Sequence, residues 1–178
     1  MRIHNTENSY GIITKALHWL VGLLIIAVWI IGYYAEEITD VTQTRHILLT
    51  LHKSLGMLIL MLVVVRLSWR LYDGASGLAT MNPILVIAAK TVHYLFYLFM
   101  FIQPLSGWAM SSAAGYAPTF FNWFQFPGIV AKNQALVPTF FAIHNTSAWL
   151  LLILVVMHVS AALIHYFVFK ENILKRML

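Results

Sequence analysis

The chain has 178 residues, 61% of them hydrophobic and 10% charged, with a mean hydropathy of +0.80 and a formal charge of +5. Soluble domains carry roughly 25% charged residues, so this composition excludes an ordinary soluble enzyme and predicts an integral membrane protein. The absence of cysteine excludes disulfides, thiolate metal sites, iron-sulfur clusters and haem attached through Cys-x-x-Cys-His.

Crossing a bilayer takes about 20 consecutive apolar residues, and four runs qualify, at 16–34, 47–71, 84–110 and 138–169. The prediction is an all-α, transmembrane four-helix bundle forming a single domain, 1–178. The first fifteen residues are polar. The run after them is too long for a signal-peptide core and lacks a small-residue cleavage site, so the first helix is expected to be retained. It carries His18, with Gly22 one turn on. The following loop holds Glu36, Glu37, Asp40, Arg45 and His46, and the second helix carries His52, with Gly56 one turn on, then Arg66 and Arg70. The third helix carries Lys90 and His93 early in its length and contains Pro104, which predicts a kink, and Gly107, which permits close packing. The segment 111–137 is rich in Phe and Trp and reads either as an aromatic belt at the membrane surface or as a cap over the outer end of the bundle. The last helix holds His144 with Ala148, His158 with Ala162, and then His165.

Lys and Arg concentrate on cytoplasmic flanks. With both termini inside, that side holds Arg2, Lys15, Arg66, Arg70, Lys90, Lys170, Lys175 and Arg176, against Arg45, Lys53 and Lys132 outside. Both termini are therefore expected in the cytoplasm. The basic balance is a topology signal and makes no case for nucleic acid.

Helix direction gives each histidine a depth. His18 and His158 fall near the inner side, His52 and His144 near the outer side. The fourteen residues from His144 to His158 span about 21 Å and return to nearly the same helix face. Singly, each histidine could be a polar packing residue bonded across the bundle. Jointly, four buried histidines at two matched depths, each with a small residue one turn on, read as two layers of paired ligands. Two ligands per layer suit six-coordinate haem iron better than a compact zinc or copper site. Two non-covalent b-type haems are expected, with His18, His158, His52 and His144 as axial ligands and Gly22 and Gly56 clearing space beside them. Arg66, fourteen residues after His52, reads either as a partner for a haem propionate or as a cytoplasmic topology residue.

These residues resemble the bacterial four-helix cytochrome b561 family, from about Tyr10 to the C-terminus. The likeness rests on Lys15-Ala16-Leu17-His18-Trp19-Leu20, on His52 with Gly56 and Val64-Val65-Arg66-Leu67, on His93-Tyr94-Leu95 and on Gln103-Pro104-Leu105-Ser106-Gly107. In the last helix it rests on His144, Met157-His158, Ala161-Ala162-Leu163-Ile164-His165-Tyr166-Phe167 and the tail Lys170-Glu171-Asn172 with Leu174 and Arg176. The resemblance implies two b haems ligated by His18 with His158 and by His52 with His144. It further implies a superoxide oxidase of the bacterial inner membrane, passing electrons from superoxide outside to ubiquinone. His165 and His93 then become candidates for a quinone or proton site, against plain readings as an interfacial and an interhelical histidine. Arg45, His46 and Lys53 could draw in superoxide, although Glu36, Glu37 and Asp40 balance them. Two other readings stay open: a cytochrome b anchor subunit of a hydrogenase or dehydrogenase, and a non-redox metal or proton transporter.

Overall fold

A computed structural model describes residues 2–6, 9–40, 42–74, 83–171 and 173–178. Asn172, part of the tail motif, lies outside them. Four long helices make up the bundle: α1 (Ile12–Glu37), α2 (Gln43–Asp73), α3 (Pro83–Ala114) and α4 (Val137–Phe167). Each is long and apolar enough to cross a membrane. α1, α2 and α3 begin and end beyond their apolar runs because polar residues at the bilayer surface still satisfy their helical backbone bonds there, whereas α4 stops two residues before its run does.

Local chemistry sets the ends. The Asn5 carboxamide oxygen accepts from the Gly11 amide and from the Thr14 hydroxyl, both at 2.9 Å, holding the first turn of α1. At Gly11 the chain crosses its own N-terminal strap so closely that a Cβ would lie 2.1 Å from the Ile3 carbonyl oxygen, so no other residue fits. Thr42 caps α2 by accepting from the Arg45 amide, and Gly74, at φ 74°, closes its far end. Asp73 then accepts from Asn5 and pairs with His4, tying the strap to α2. Pro83 starts α3, where its missing N–H costs nothing, and Pro104 sits inside it.

Between α3 and α4 a small antiparallel hairpin pairs β1 (Thr119–Phe120) with β2 (Phe124–Gln125). It defines the cap end of the bundle, and the opposite end carries both termini. Ser54, fully buried on α2, fastens the cap: its hydroxyl accepts from the Phe121 amide at 2.9 Å, and its single proton is shared between the carbonyls of Thr119 (3.0 Å) and Thr50 (2.8 Å).

The core is a thin apolar layer at mid-height: Val21 and Ile25 from α1, Ile59 and Val63 from α2, Met100 from α3 and Leu151 from α4. Leu151 lies midway in sequence between His144 and His158, so the layer separates the two histidine depths. Leu23, Ile30 and Val156 stay exposed, as expected of a surface solvated by lipid chains. α1 packs along α2, α2 along α3, and α3 along α4. α1 and α4 meet mainly through side chains such as Trp29 and Trp149, whose rings lie 5.2 Å apart edge to face.

Candidate functional site: two histidine pairs across the bundle

At the cap end His52 on α2 faces His144 on α4, ring centres 5.9 Å apart. A metal held between two imidazoles needs bonds of about 2 Å on each side, plus roughly 1 Å from each nitrogen to its ring centre, or about 6 Å in all. The pair meets that requirement. A cavity of about 600 Å³ adjoins it, lined by Gly56, Met57, Ala148 and Leu152 among others, and its size is ordinary for a cofactor site. A Cβ on Gly56 would meet nothing within 4 Å, so this face of α2 borders open space.

Hydrogen bonds to main-chain carbonyls orient both rings. His52 Nδ1–H donates to the Val28 carbonyl at 3.0 Å, and His144 Nδ1–H donates to the Gln103 carbonyl at 2.9 Å. Each bond places the proton on Nδ1 and makes Nε2 the acceptor, the tautomer a metal requires; on His144 the Gln103 side-chain amide must first release that Nε2. The His144 Nε2 lone pair accepts from the Gln103 side-chain amide at 3.2 Å, while the Gln103 carboxamide oxygen takes a hydrogen bond from Ser147. Arg45 and Lys53 line the cavity's mouth with Glu36 and Glu37. Arg45 Nε is buried and has no hydrogen-bond partner among the described residues. An orphaned guanidinium donor beside an apolar cavity suits a carboxylate-bearing ligand, and haem propionates have that chemistry.

At the termini end His18 on α1 faces His158 on α4, ring centres 6.0 Å apart, so this pair meets the same spacing. His93 on α3 lies 5.8 Å from His158, and Phe96 presses edge-on at 5.4 Å. Arg66 reaches this level, as its fourteen-residue offset predicts, and its Nη2 donates to His18 Nδ1 at 2.9 Å. Tyr97 is a second partner of the Arg66 guanidinium, and the Arg70 guanidinium lies 5.5 Å from the Tyr97 ring centre. Because guanidinium only donates, His18 Nδ1 accepts here, and Arg66 must release it before the opposite nitrogen can bind a metal with Nδ1 protonated. A Cβ on Gly22 would also meet nothing within 4 Å. Among the described residues no group of three or more His, Cys, Asp or Glu side chains is arranged to hold a metal ion by itself; the cap end has a histidine pair, and at the termini end His158 adjoins both His18 and His93.

His165 stands apart from both pairs. Its Nδ1–H donates to Glu171 at 2.6 Å, where the chain turns back after α4, and the Glu171 amide donates to the His165 carbonyl at 2.9 Å. Sequence reasoning gave no role to Gln103, Ser147, Gly32 or Ser54. The available signal was the Gln103-Pro104-Leu105-Ser106-Gly107 motif, which it noted without assigning contacts.

The model of a family described as prokaryotic cytochrome b561 matches residues 9–178. A protein of Escherichia coli K12 named cytochrome b561 homolog 2 is 34% identical over 179 residues, spanning 100% of this chain and 95% of that protein. A Yersinia pestis protein named probable superoxide oxidase CybB is 28% identical over 181 residues, with 97% of each chain covered.

Proposed function

The chain belongs to the prokaryotic cytochrome b561 family of membrane electron-transfer proteins, and on that premise we propose that it holds two b haems and carries electrons from superoxide to ubiquinone. The observation that carries the reading is the grouping of four histidines into two facing pairs on either side of one apolar layer. Haem held by the two histidines of each pair would supply single-electron chemistry without offering oxygen a binding position. The superoxide assignment is supported by the name of the Yersinia relative.

His52 and His144 hold the cap-end haem, oriented through their bonds to the Val28 and Gln103 carbonyls. Arg45 and Lys53 neutralise its propionates and present positive charge to an incoming anion. His18 and His158 hold the other haem. Arg66 transfers its donors from His18 to a propionate there, since a charge-assisted bond to carboxylate is stronger than one to neutral imidazole. Two superoxide anions give up one electron each and leave as dioxygen, while ubiquinone takes two electrons and two protons and leaves as ubiquinol. The protons enter at the termini end. His165, with its Nδ1–H on the Glu171 carboxylate, takes up a proton from the aqueous side at Nε2 and hands it to a quinone oxygen, and His93 is the alternative donor beside His158. Both termini face the cytoplasm and the cap faces outward across the inner membrane, a reading supported by the Lys and Arg distribution.

Stopped-flow mixing of the oxidised protein with superoxide, with and without ubiquinone, tests the proposal. Rapid haem reduction followed by quinone-dependent reoxidation is the expected result. No b-type band in a reduced-minus-oxidised spectrum would refute the redox reading. Haem bands that superoxide reduces only slowly would remove superoxide as donor and favour a docked dehydrogenase partner.

A further inference from the structure

The two cap-end histidines share a supporting arrangement that the other pair lacks. His52 donates from Nδ1 to the carbonyl of Val28 on α1, and four residues later α1 has Gly32. His144 donates from Nδ1 to the carbonyl of Gln103 on α3, and four residues later α3 has Gly107. In a helix the carbonyl of residue i bonds the amide of residue i+4, whose side chain stands over that same turn. Glycine at i+4 uncovers the carbonyl, so its second lone pair can receive a donor from the side. The fit is close: a Cβ on Gly32 would lie 2.6 Å from His52 Cε1 and 2.8 Å from Nδ1. On Gly107 it would lie 2.8 Å from His144 Cε1 and 3.0 Å from Nδ1. Among the described residues these are the two glycines at which an added methyl would strike a histidine. At the termini end, by contrast, Nδ1 of His18 is bound by Arg66.

We propose that Gly32 and Gly107 are positioning residues of the cap-end site, opening the Val28 and Gln103 carbonyls so that these fix the tautomer, ring orientation and donor strength of His52 and His144. The inference rests on the two-haem reading and deepens it. An imidazole whose Nδ1–H bonds a carbonyl is a stronger electron donor to its metal than one without that bond. Displacing the ring therefore weakens donation and raises the reduction potential of the cap-end haem alone.

The test compares Gly32→Ala and Gly107→Ala with the wild-type holoprotein by haem content, redox titration and low-temperature electron paramagnetic resonance. Alanine is the better helix former, so any loss comes from the contact with the ring. Each variant is expected to shift the low-field g value and raise the potential of one haem, or to lose that haem, leaving the other at its wild-type signature. Ile30→Ala, at a lipid-facing position on the same helix, should change neither. Two haems with wild-type g values and potentials in both glycine variants would overturn the proposal. If either variant fails to accumulate, histidine-selective 15N NMR of the reduced wild-type protein decides: slowly exchanging Nδ1 protons on His52 and His144 support it, and exchange as fast as at an unbonded ring overturns it. Wild-type protein that binds fewer than two haems would defeat the two-haem reading instead, and the same NMR signals would still report on the two histidines.

Discussion

Substituting Ser54→Ala should release the cap without unfolding the bundle. The hydroxyl is fully buried and supplies the acceptor for the Phe121 amide and a donor to the Thr119 carbonyl. Its third bond, to Thr50, lies within α2 and does not hold the cap. Alanine leaves one N–H and one C=O of the hairpin without these partners in the closed state, whereas opening exposes both to water. A buried polar group left unsatisfied costs about 1–3 kcal/mol, so the closed cap should lose about 2–3 kcal/mol relative to the open one, or about 30- to 140-fold in the opening equilibrium. Hydrogen exchange followed by mass spectrometry on peptides spanning 115–126, in nanodiscs, reads that equilibrium directly when reclosing outpaces exchange. Acceleration in that range, with α2 and α4 protected as in the wild type, is the expected result. Exchange within threefold of wild type would show that the Ser54 bonds do not hold the cap.

Replacing Arg66 with Leu should lower haem content from two per chain to about one, with the protein still inserting normally; two haems by pyridine haemochrome assay would show that Arg66 is only a topology residue. His165→Leu should leave both haem spectra intact while slowing ubiquinone-dependent reoxidation about a hundredfold or more, the low end of the usual contribution from a positioned proton donor; unchanged reoxidation would transfer that role to His93 or to solvent. The Arg45→Gln, Lys53→Gln double variant should slow reduction by superoxide several-fold and flatten its dependence on ionic strength, since screening acts only where charge steers the encounter. Equal salt dependence in both proteins would place the encounter elsewhere.

The depth of each histidine was legible because helical rise is constant: fourteen residues separate His144 from His158 and His52 from Arg66, and a count along the chain places both members of each set. What that count cannot supply is the lateral partner. Gly22 and Gly56, one turn beyond His18 and His52, border open space, whereas the glycines that lie against the His52 and His144 rings, Gly32 and Gly107, are on neighbouring helices. No spacing measured from a histidine points to them, because contact between helices depends on rotation and crossing as well as on register. Arg66 shows the same division. Its level was readable, but its bond to His18 comes from another helix. The first three helices also outrun the apolar stretches, with α2 starting at Gln43 and α3 ending at Ala114, since hydropathy marks the hydrocarbon and hydrogen bonding continues past it. Ser54 was invisible for a related reason: a serine two residues after His52 reads as a helix-packing residue until the cap lies against it.

α1 and α2 form one helical arm and α3 and α4 another, and each histidine pair takes one member from each arm: His18 with His158, His52 with His144. A group held by either pair therefore clasps the two arms, much as a rivet joins two plates that also meet along the α2–α3 seam, through the Ser54 bonds to the cap and through a few α1–α4 side chains. Binding energy at those positions is then also assembly energy for the protein in the lipid. A cell short of haem would accumulate arms that have inserted but not locked, exposed to membrane proteases, so the abundance of the protein would follow cofactor supply without any dedicated regulator.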